Sequence, residues 1–130
     1  MWLGRILLLD DEPAILFGVR EFLGALGYCV ECARTAAEAR ERLDRARFDV
    51  LIADLRLTPA EPAEGLDVVE WVHGAHPATR VVVLTASGDD FEPEARRRGA
   101  HRYLQKPQPL ARIAELVKDL CSEASRARGV

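Results

Sequence analysis

The sequence lacks the features that would place this chain in a membrane or outside the cell. No apolar run approaches the roughly 20 residues that a bilayer-spanning helix needs. The start does not form a signal peptide, because the acidic residues Asp10, Asp11 and Glu12 follow its first apolar residues at once. Three cysteines, an odd number, do not make a disulfide framework. We therefore expect a cytoplasmic protein that does not bind or cross a membrane.

Strong positive charge is also absent. The chain has 18 Lys and Arg residues and 21 Asp and Glu residues, so its formal net charge is -3. Such a chain has no basic field for direct nucleic-acid binding. Internal repeats and low-complexity linkers are missing, and 130 residues suit one domain. We expect one domain over residues 1–130, with a frayed tail at about 125–130.

Three continuous apolar runs, each followed by a polar residue, organise the chain. They cover positions 6–9, 50–53 and 81–84, and they end in Asp10, Asp54 and Thr85. Runs without alternation are typical of strands buried on both faces of a parallel sheet. Two shorter strands are predicted at Tyr28–Cys32 and His101–Leu104, so about five strands are expected.

Helix signals separate these strands. Pro13 fits the first turn of a helix that Gly27 ends. Thr35 to Glu38 has the form of a capping box, which opens the second helix. Two prolines and a glycine predict a loop over 57–65 before the third helix.

The last two helices complete the pattern. A short helix is predicted from Asp89 to Arg98, and the closing helix has Leu110 and Leu120 on its apolar face. Strand and helix thus alternate about five times, which predicts right-handed βαβ units. The expected fold class is α/β, with a parallel sheet between two layers of helices.

Polar side chains follow the strands at their carboxyl ends. They are Asp10, Asp11, Asp54, Thr85 and Lys106. Since parallel strands end at one edge of a sheet, we expect these residues to converge where open α/β sheets bind ligands. Three close carboxylates repel one another unless a cation compensates, and Mg²⁺ prefers such ligands. Metal, ammonium and hydroxyl groups suit a transferring phosphoryl group, with Asp54 as the nucleophile.

Four segments together resemble a response-regulator receiver domain. They are Leu8–Pro13, Val50–Leu55, Val83–Ala86 and Gly99–Pro107, and the resemblance covers essentially the whole chain. It implies a single doubly wound, flavodoxin-like domain with strand order 2-1-3-4-5. It also implies Mg²⁺-dependent (or Mn²⁺-dependent) phosphorylation of an aspartate by a histidine kinase or phosphotransfer protein.

The resemblance also implies a role for each site residue. Asp54 would accept the phosphoryl group, Asp11 would bind the metal directly and Asp10 would bind it through water. The backbone carbonyl of Arg56 would be the third protein ligand of the metal. Thr85 and Lys106 would contact the phosphoryl group, and Ala86 is small enough to let it enter. Tyr103 would be the switch aromatic, and Lys106-Pro107 resembles the family's cis peptide.

The predicted function is a phosphoacceptor switch of a two-component system or phosphorelay, not a turnover enzyme. Its chemistry would be self-modification and slow self-hydrolysis. The Asp89–Arg98 helix, the Tyr103 strand and the C-terminal helix would form the face that binds a downstream target or output domain, or a phosphorylation-linked homodimer. Two alternatives stay open: a docking or dimerisation module that is not phosphorylated, and a phosphohydrolase with a nucleophilic aspartate.

Two further motifs bear on these alternatives. Arg56 stands where such phosphohydrolases commonly need a second acid, and the loop after Asp54 is longer than the common receiver pattern. Cys29 and Cys32 suggest a redox or zinc site. On a strand, however, residues three apart point to opposite faces, so we expect neither a shared disulfide nor a shared metal.

Overall fold

Five strands and five helices alternate along residues 1–55, 62–86 and 90–129, which are the residues that this computed structural model describes. The strands are β1 (Arg5–Leu9), β2 (Cys29–Ala33), β3 (Val50–Ala53), β4 (Arg80–Thr85) and β5 (Arg102–Gln105). The helices are α1 (Pro13–Ala25), α2 (Ala36–Arg45), α3 (Pro62–Ala75), α4 (Glu92–Arg97) and α5 (Leu110–Ala127). All strand pairs are parallel, in the order β2-β1-β3-β4-β5. The predicted fold class and strand order are confirmed.

The central strands contribute alternate residues to two hydrophobic cores. In β1, Ile6 and Leu8 pack with residues of α1 and α5. Leu7 and Leu9 point to the other face and pack with residues of α2, α3 and α4. All four side chains are almost completely buried. Because both faces of the strand are covered, an uninterrupted apolar run is the stable sequence here.

Helix ends follow the predicted signals in part. Gly27, with φ of 109°, lies just beyond α1, where the left-handed conformation favours glycine. Thr35 Oγ1 accepts a hydrogen bond of 3.1 Å from the Glu38 amide at the start of α2. In a capping box the Glu38 carboxylate would accept a hydrogen bond from the Thr35 amide. Here it accepts one from the Arg34 amide instead.

Two predicted boundaries were wrong. The loop predicted over 57–65 is too long, because α3 begins at Pro62. Proline loses nothing at the first position of a helix, where its missing N–H would have no partner. The helix predicted from Asp89 to Arg98 is shorter, since α4 covers only Glu92–Arg97 and Asp89 lies outside the described residues. Pro93 belongs in a first turn, which prevents α4 from beginning much earlier.

At the other end of the sheet, α5 continues to Ala127 and so includes the first residues of the tail predicted to fray. Arg128 Nη1 lies 2.6 Å from Asp49 Oδ1, next to the start of β3. Along the described residues, no helix has both the length and the apolar composition that crossing a bilayer would require. Cys29, Cys32 and Cys121 are free thiols.

Candidate functional site

Backbone hydrogen bonds extend the parallel ladders beyond the strands and order the carboxyl edge of the sheet. The amide of Asp54 donates to the carbonyl of Leu9 at 2.9 Å, which places Asp54 beside the end of β1. The amide of Lys106 donates to the carbonyl of Thr85, also at 2.9 Å. The predicted site residues from four strands therefore meet at one edge.

Three carboxylates form the centre of this edge. One oxygen each of Asp10, Asp11 and Asp54 can be chosen so that all three lie within 4.8 Å of one another. Asp10 and Asp54 are buried, whereas Asp11 is exposed. Asp10 Oδ1 also accepts a hydrogen bond of 2.9 Å from the backbone amide of Glu12. Burial raises the pKa of Asp10, although its hydrogen bonds to Lys106 and Glu12 act in the opposite direction.

Lys106 joins two of these carboxylates. Its Nζ lies 2.7 Å from Asp10 Oδ2 and 3.2 Å from Asp54 Oδ2. Only 9% of the Lys106 side chain is exposed, so little solvent screens the contact. Burial opposes the charge of the ammonium group, but the hydrogen bonds and negative charges of Asp10 and Asp54 raise the pKa of Lys106 above its ordinary value. The ammonium group therefore stays charged between the two acids.

Thr85, Ala86 and Tyr103 are the remaining predicted site residues whose placement the structure describes. Thr85 ends β4, is completely buried, and its hydroxyl has no hydrogen-bond partner among the described residues. Ala86 is exposed. Tyr103 on β5 is half-buried, and its hydroxyl accepts a hydrogen bond of 3.3 Å from the Phe91 amide before α4. Lys106-Pro107 is a cis peptide bond, and Arg56 lies outside the described residues.

Gly65 is a site-supporting residue that the sequence reasoning missed. A Cβ at this position would lie 2.4 Å from Leu55 Cα and 2.7 Å from the Asp54 carbonyl oxygen. Only glycine lets α3 approach the backbone that carries Asp54 this closely. The available signal is an isolated glycine next to a helical pattern, at a position where the sequence predicts a loop.

The chain also matches a family of known proteins. A family model of the response regulator receiver domain matches residues 6–118. The chain belongs to the response-regulator receiver domain family. The family assignment that the four sequence segments suggested is thereby confirmed.

Curated relatives of this receiver domain include a response regulator and a transcriptional regulatory protein. It is 39% identical over 114 residues to the response regulator protein PilR of Pseudomonas aeruginosa, covering 87% of this chain and 25% of that protein. It is 45% identical over 105 residues to the alginate biosynthesis transcriptional regulatory protein AlgB of Pseudomonas putida, covering 80% of this chain and 23% of that protein. The chain thus spans about a quarter of the length of these relatives.

Solved structures show the same fold. A CheY-like response regulator receiver domain protein from Methanospirillum hungatei superposes with a TM-score of 0.87 at 27% identity, covering 95% of this chain and 98% of that one. The beryllofluoride-activated NtrC4 receiver domain dimer gives a TM-score of 0.83 at 26% identity, covering 92% of this chain and 98% of that one.

Proposed function

We propose that this receiver domain is a phosphoacceptor, in which Asp54 takes a phosphoryl group from a histidine kinase or phosphotransfer protein. The contact of Lys106 with both Asp10 and Asp54 supports this proposal, because an ammonium group lies within 3.2 Å of the buried Asp54 carboxylate. In the transfer, a carboxylate oxygen of Asp54 forms a bond to phosphorus while the bond between phosphorus and the donor breaks. The product is an acyl phosphate, the intermediate that carboxylate nucleophiles form.

Two protein groups would stabilise the added negative charge. The ammonium group of Lys106 already lies within 3.2 Å of Asp54 and can contact a phosphoryl oxygen. The buried Thr85 hydroxyl has no partner among the described residues, so it has a donor available at the end of the neighbouring strand. The Lys106 amide also donates a hydrogen bond to the Thr85 carbonyl, so a shift of one backbone segment would move the other.

The carboxylate cluster fits a hard divalent cation such as Mg²⁺. Asp11 and Asp54 would offer carboxylate oxygens directly and Asp10 would act through water, and carboxylate oxygens are the ligand type that Mg²⁺ prefers. The backbone carbonyl of Arg56 would complete the protein ligands, as in the family. When bound, the ion would add positive charge beside the phosphoryl oxygens.

The output of the switch would pass through the face formed by α4, β5 and α5. In the unphosphorylated state the Tyr103 hydroxyl accepts a hydrogen bond from the Phe91 amide. If Thr85 shifts toward the phosphoryl group, Tyr103 can turn inward and break this hydrogen bond. Arg98, which lies 2.9 Å from Asp67 of α3 and 2.7 Å from Glu94, fixes the other end of α4. We propose that the altered face binds a downstream target, an output domain or a second copy of this domain.

Acetyl phosphate treatment of the purified chain, with Mg²⁺ or with EDTA, tests the acceptor role. Intact-mass and peptide mass spectrometry should find one added phosphoryl group on Asp54 only when Mg²⁺ is present. The Asp54→Asn variant should gain none. No label on the parent chain would contradict the acceptor role and leave a docking module, whereas sustained turnover of a phosphate ester would favour a phosphohydrolase.

A further inference from the structure

Helix α3 lies directly against the backbone that carries Asp54. Gly65, near the start of α3, is buried, and a Cβ at this position would lie 2.6 Å from the Leu55 carbonyl oxygen and 2.7 Å from that of Asp54. Leu55 and Leu66 are buried in the same hydrophobic core. Because backbone atoms form this contact, with no flexible side chain between them, a displacement of residues 54–55 would also move the start of α3.

The carboxyl-terminal end of α4 is packed onto the same helix. A Cβ at Gly99, just beyond α4, would lie only 2.6 Å from the Cβ of His73 on α3. Ala95 and Ala100 are buried in the core that also includes Val72 of α3. The turn after α4 therefore leaves no room for a side chain between itself and α3.

Arg98 adds a charged contact between α3 and α4. Its Nη1 lies 2.9 Å from Asp67 Oδ1 on α3, and its Nε lies 2.7 Å from Glu94 Oε1 on α4. Glu70 Oε1, also on α3, lies 3.7 Å from the same Nε. Only 26% of the Arg98 side chain is exposed. Since the donors of a guanidinium group have a fixed planar arrangement, these contacts restrict how α4 can move relative to α3.

The neighbouring Arg97 provides an internal comparison. Arg97 forms an ion pair with Glu94 of its own helix, and 71% of its side chain is exposed. It forms no ion pair with α3 along the described residues. Arg97 and Arg98 therefore share their charge and an acidic partner on α4, whereas only Arg98 contacts α3.

We propose that Arg98 is a positioning residue that couples α4 to the backbone of Asp54 through α3, an inference that rests on the proposed phosphorylation of Asp54. A phosphoryl group on Asp54 displaces residues 54–55, and α3 follows because Gly65 touches their backbone. Arg98 then passes this displacement to the carboxyl-terminal end of α4. The route is separate from the contact of Tyr103 with the Phe91 amide, which acts at the amino-terminal end of α4.

Hydrogen exchange measured by mass spectrometry, with acetyl phosphate and Mg²⁺, tests this coupling. The intact mass of each sample first establishes how much of Asp54 is phosphorylated. Phosphorylation should change the exchange rate of residues 91–98 in the parent. In Arg98→Met this change should be smaller by about twofold or more at equal phosphorylation, because α4 has lost a partly buried ion pair to α3. Arg97→Met is the matched control and should respond as the parent does.

A double-mutant cycle in the unphosphorylated chain tests whether Asp67 is the partner through which Arg98 acts. Arg98→Met and Asp67→Asn should each speed exchange in α4 by about two- to fivefold, since both remove the same ion pair. The double variant should exchange about as fast as Arg98→Met alone, because the two substitutions are not independent. Circular dichroism melting should show that every variant remains folded.

Two results would overturn the role of Arg98 while leaving the phosphoacceptor function intact. One is an Arg98→Met variant that is phosphorylated and responds to it as fully as the parent. The other is a double variant in which the two effects simply add. A parent chain that gains no phosphoryl group on Asp54 would instead overturn the proposed function, and the coupling through α3 with it.

Discussion

Lys106 Nζ lies 2.7 Å from Asp10 Oδ2, although 96 positions separate the two residues in the chain. The pair closes the site across the sheet, from the end of β1 to the end of β5. Because both side chains are almost completely buried, each depends on the other for charge compensation. We therefore expect the stability of the domain and its proposed phosphoryl chemistry to depend on the same contact.

Replacement of Lys106 by Met should destabilise the domain. The variant leaves Asp10 and Asp54 buried without their ammonium partner, and loss of one member of a buried ion pair costs about 3 kcal/mol. Urea unfolding should show this loss in metal-free buffer. Mg²⁺ should stabilise the variant more than the parent, because a divalent cation would replace the missing charge.

Arg112→Met is the control for the Lys106 variant, since Arg112 is an exposed cation of α5. Its effect should stay within about 0.5 kcal/mol. If Lys106→Met is as stable as the parent without Mg²⁺, the buried pair does not stabilise the fold as its geometry indicates.

Gly65→Ala should destabilise the domain although alanine favours helix formation. The added Cβ would lie 2.4 Å from Leu55 Cα, and backbone atoms cannot move aside as a flexible side chain would. We expect a cost of about 1–3 kcal/mol in thermal or urea unfolding. The displaced backbone carries Asp54, so phosphorylation by acetyl phosphate should also slow down.

Gly74→Ala in the same helix provides the matched comparison. A Cβ at Gly74 meets no atom within 4 Å, so the variant should gain up to about 1 kcal/mol from helix propensity. Equal effects at the two glycines would show that the close approach of α3 to Leu55 is unimportant.

Tyr103→Phe should loosen the start of α4 in the unphosphorylated state. The substitution removes only the hydroxyl that accepts from the Phe91 amide, at a cost of about 1 kcal/mol or less. Hydrogen exchange measured by mass spectrometry should become faster around residues 91–97. Tyr28→Phe, at the other tyrosine, should leave exchange in this segment unchanged. Unaltered exchange in Tyr103→Phe would mean that the hydroxyl does not hold α4.

The stability of the domain should fall in mild acid because of His101. Its Nδ1 accepts a 2.9 Å hydrogen bond from the Val81 amide, so this nitrogen must be unprotonated. Burial, followed by the charge of Arg80, lowers the pKa of His101 below its ordinary value of 6.5, against the opposing charge of Glu123. The remaining groups that face the ring, His73 and Arg102, also lower it.

The direction of this pH dependence follows from the difference between the pKa of His101 in the folded state and in the unfolded state. The unfolded chain binds the proton at higher pH, so the free energy of unfolding decreases as pH falls below about 6.5 and becomes level below the folded-state pKa. Urea unfolding between about pH 8 and pH 5 should show this decrease in the parent. His101→Asn, whose amide oxygen can accept the Val81 bond without titrating, should show a smaller decrease. If the free energy of unfolding decreased equally with pH in the parent and in His101→Asn, His101 would be excluded as the cause of the decrease.

The order of strands and helices could be predicted from sequence because it depends on local patterns. A strand buried on both faces needs an uninterrupted apolar run, and the chain must become polar where that run reaches the sheet edge. Asp10, Asp54, Thr85 and Lys106 could therefore be identified as candidates at the edge before their distances were known. The strand order rested on family resemblance, because periodicity does not specify which strands are neighbours.

Tertiary structure alone decided the features that depend on contacts between distant segments. The sequence pattern placed Gly65 in a loop, but the approach of α3 to the Leu55 backbone makes it a helical glycine beside the site. The partner of the Tyr103 hydroxyl depends likewise on how helices pack on the sheet. Hydrophobic periodicity specifies which face of an element is buried, whereas packing and hydrogen bonding between elements determine which atoms meet there.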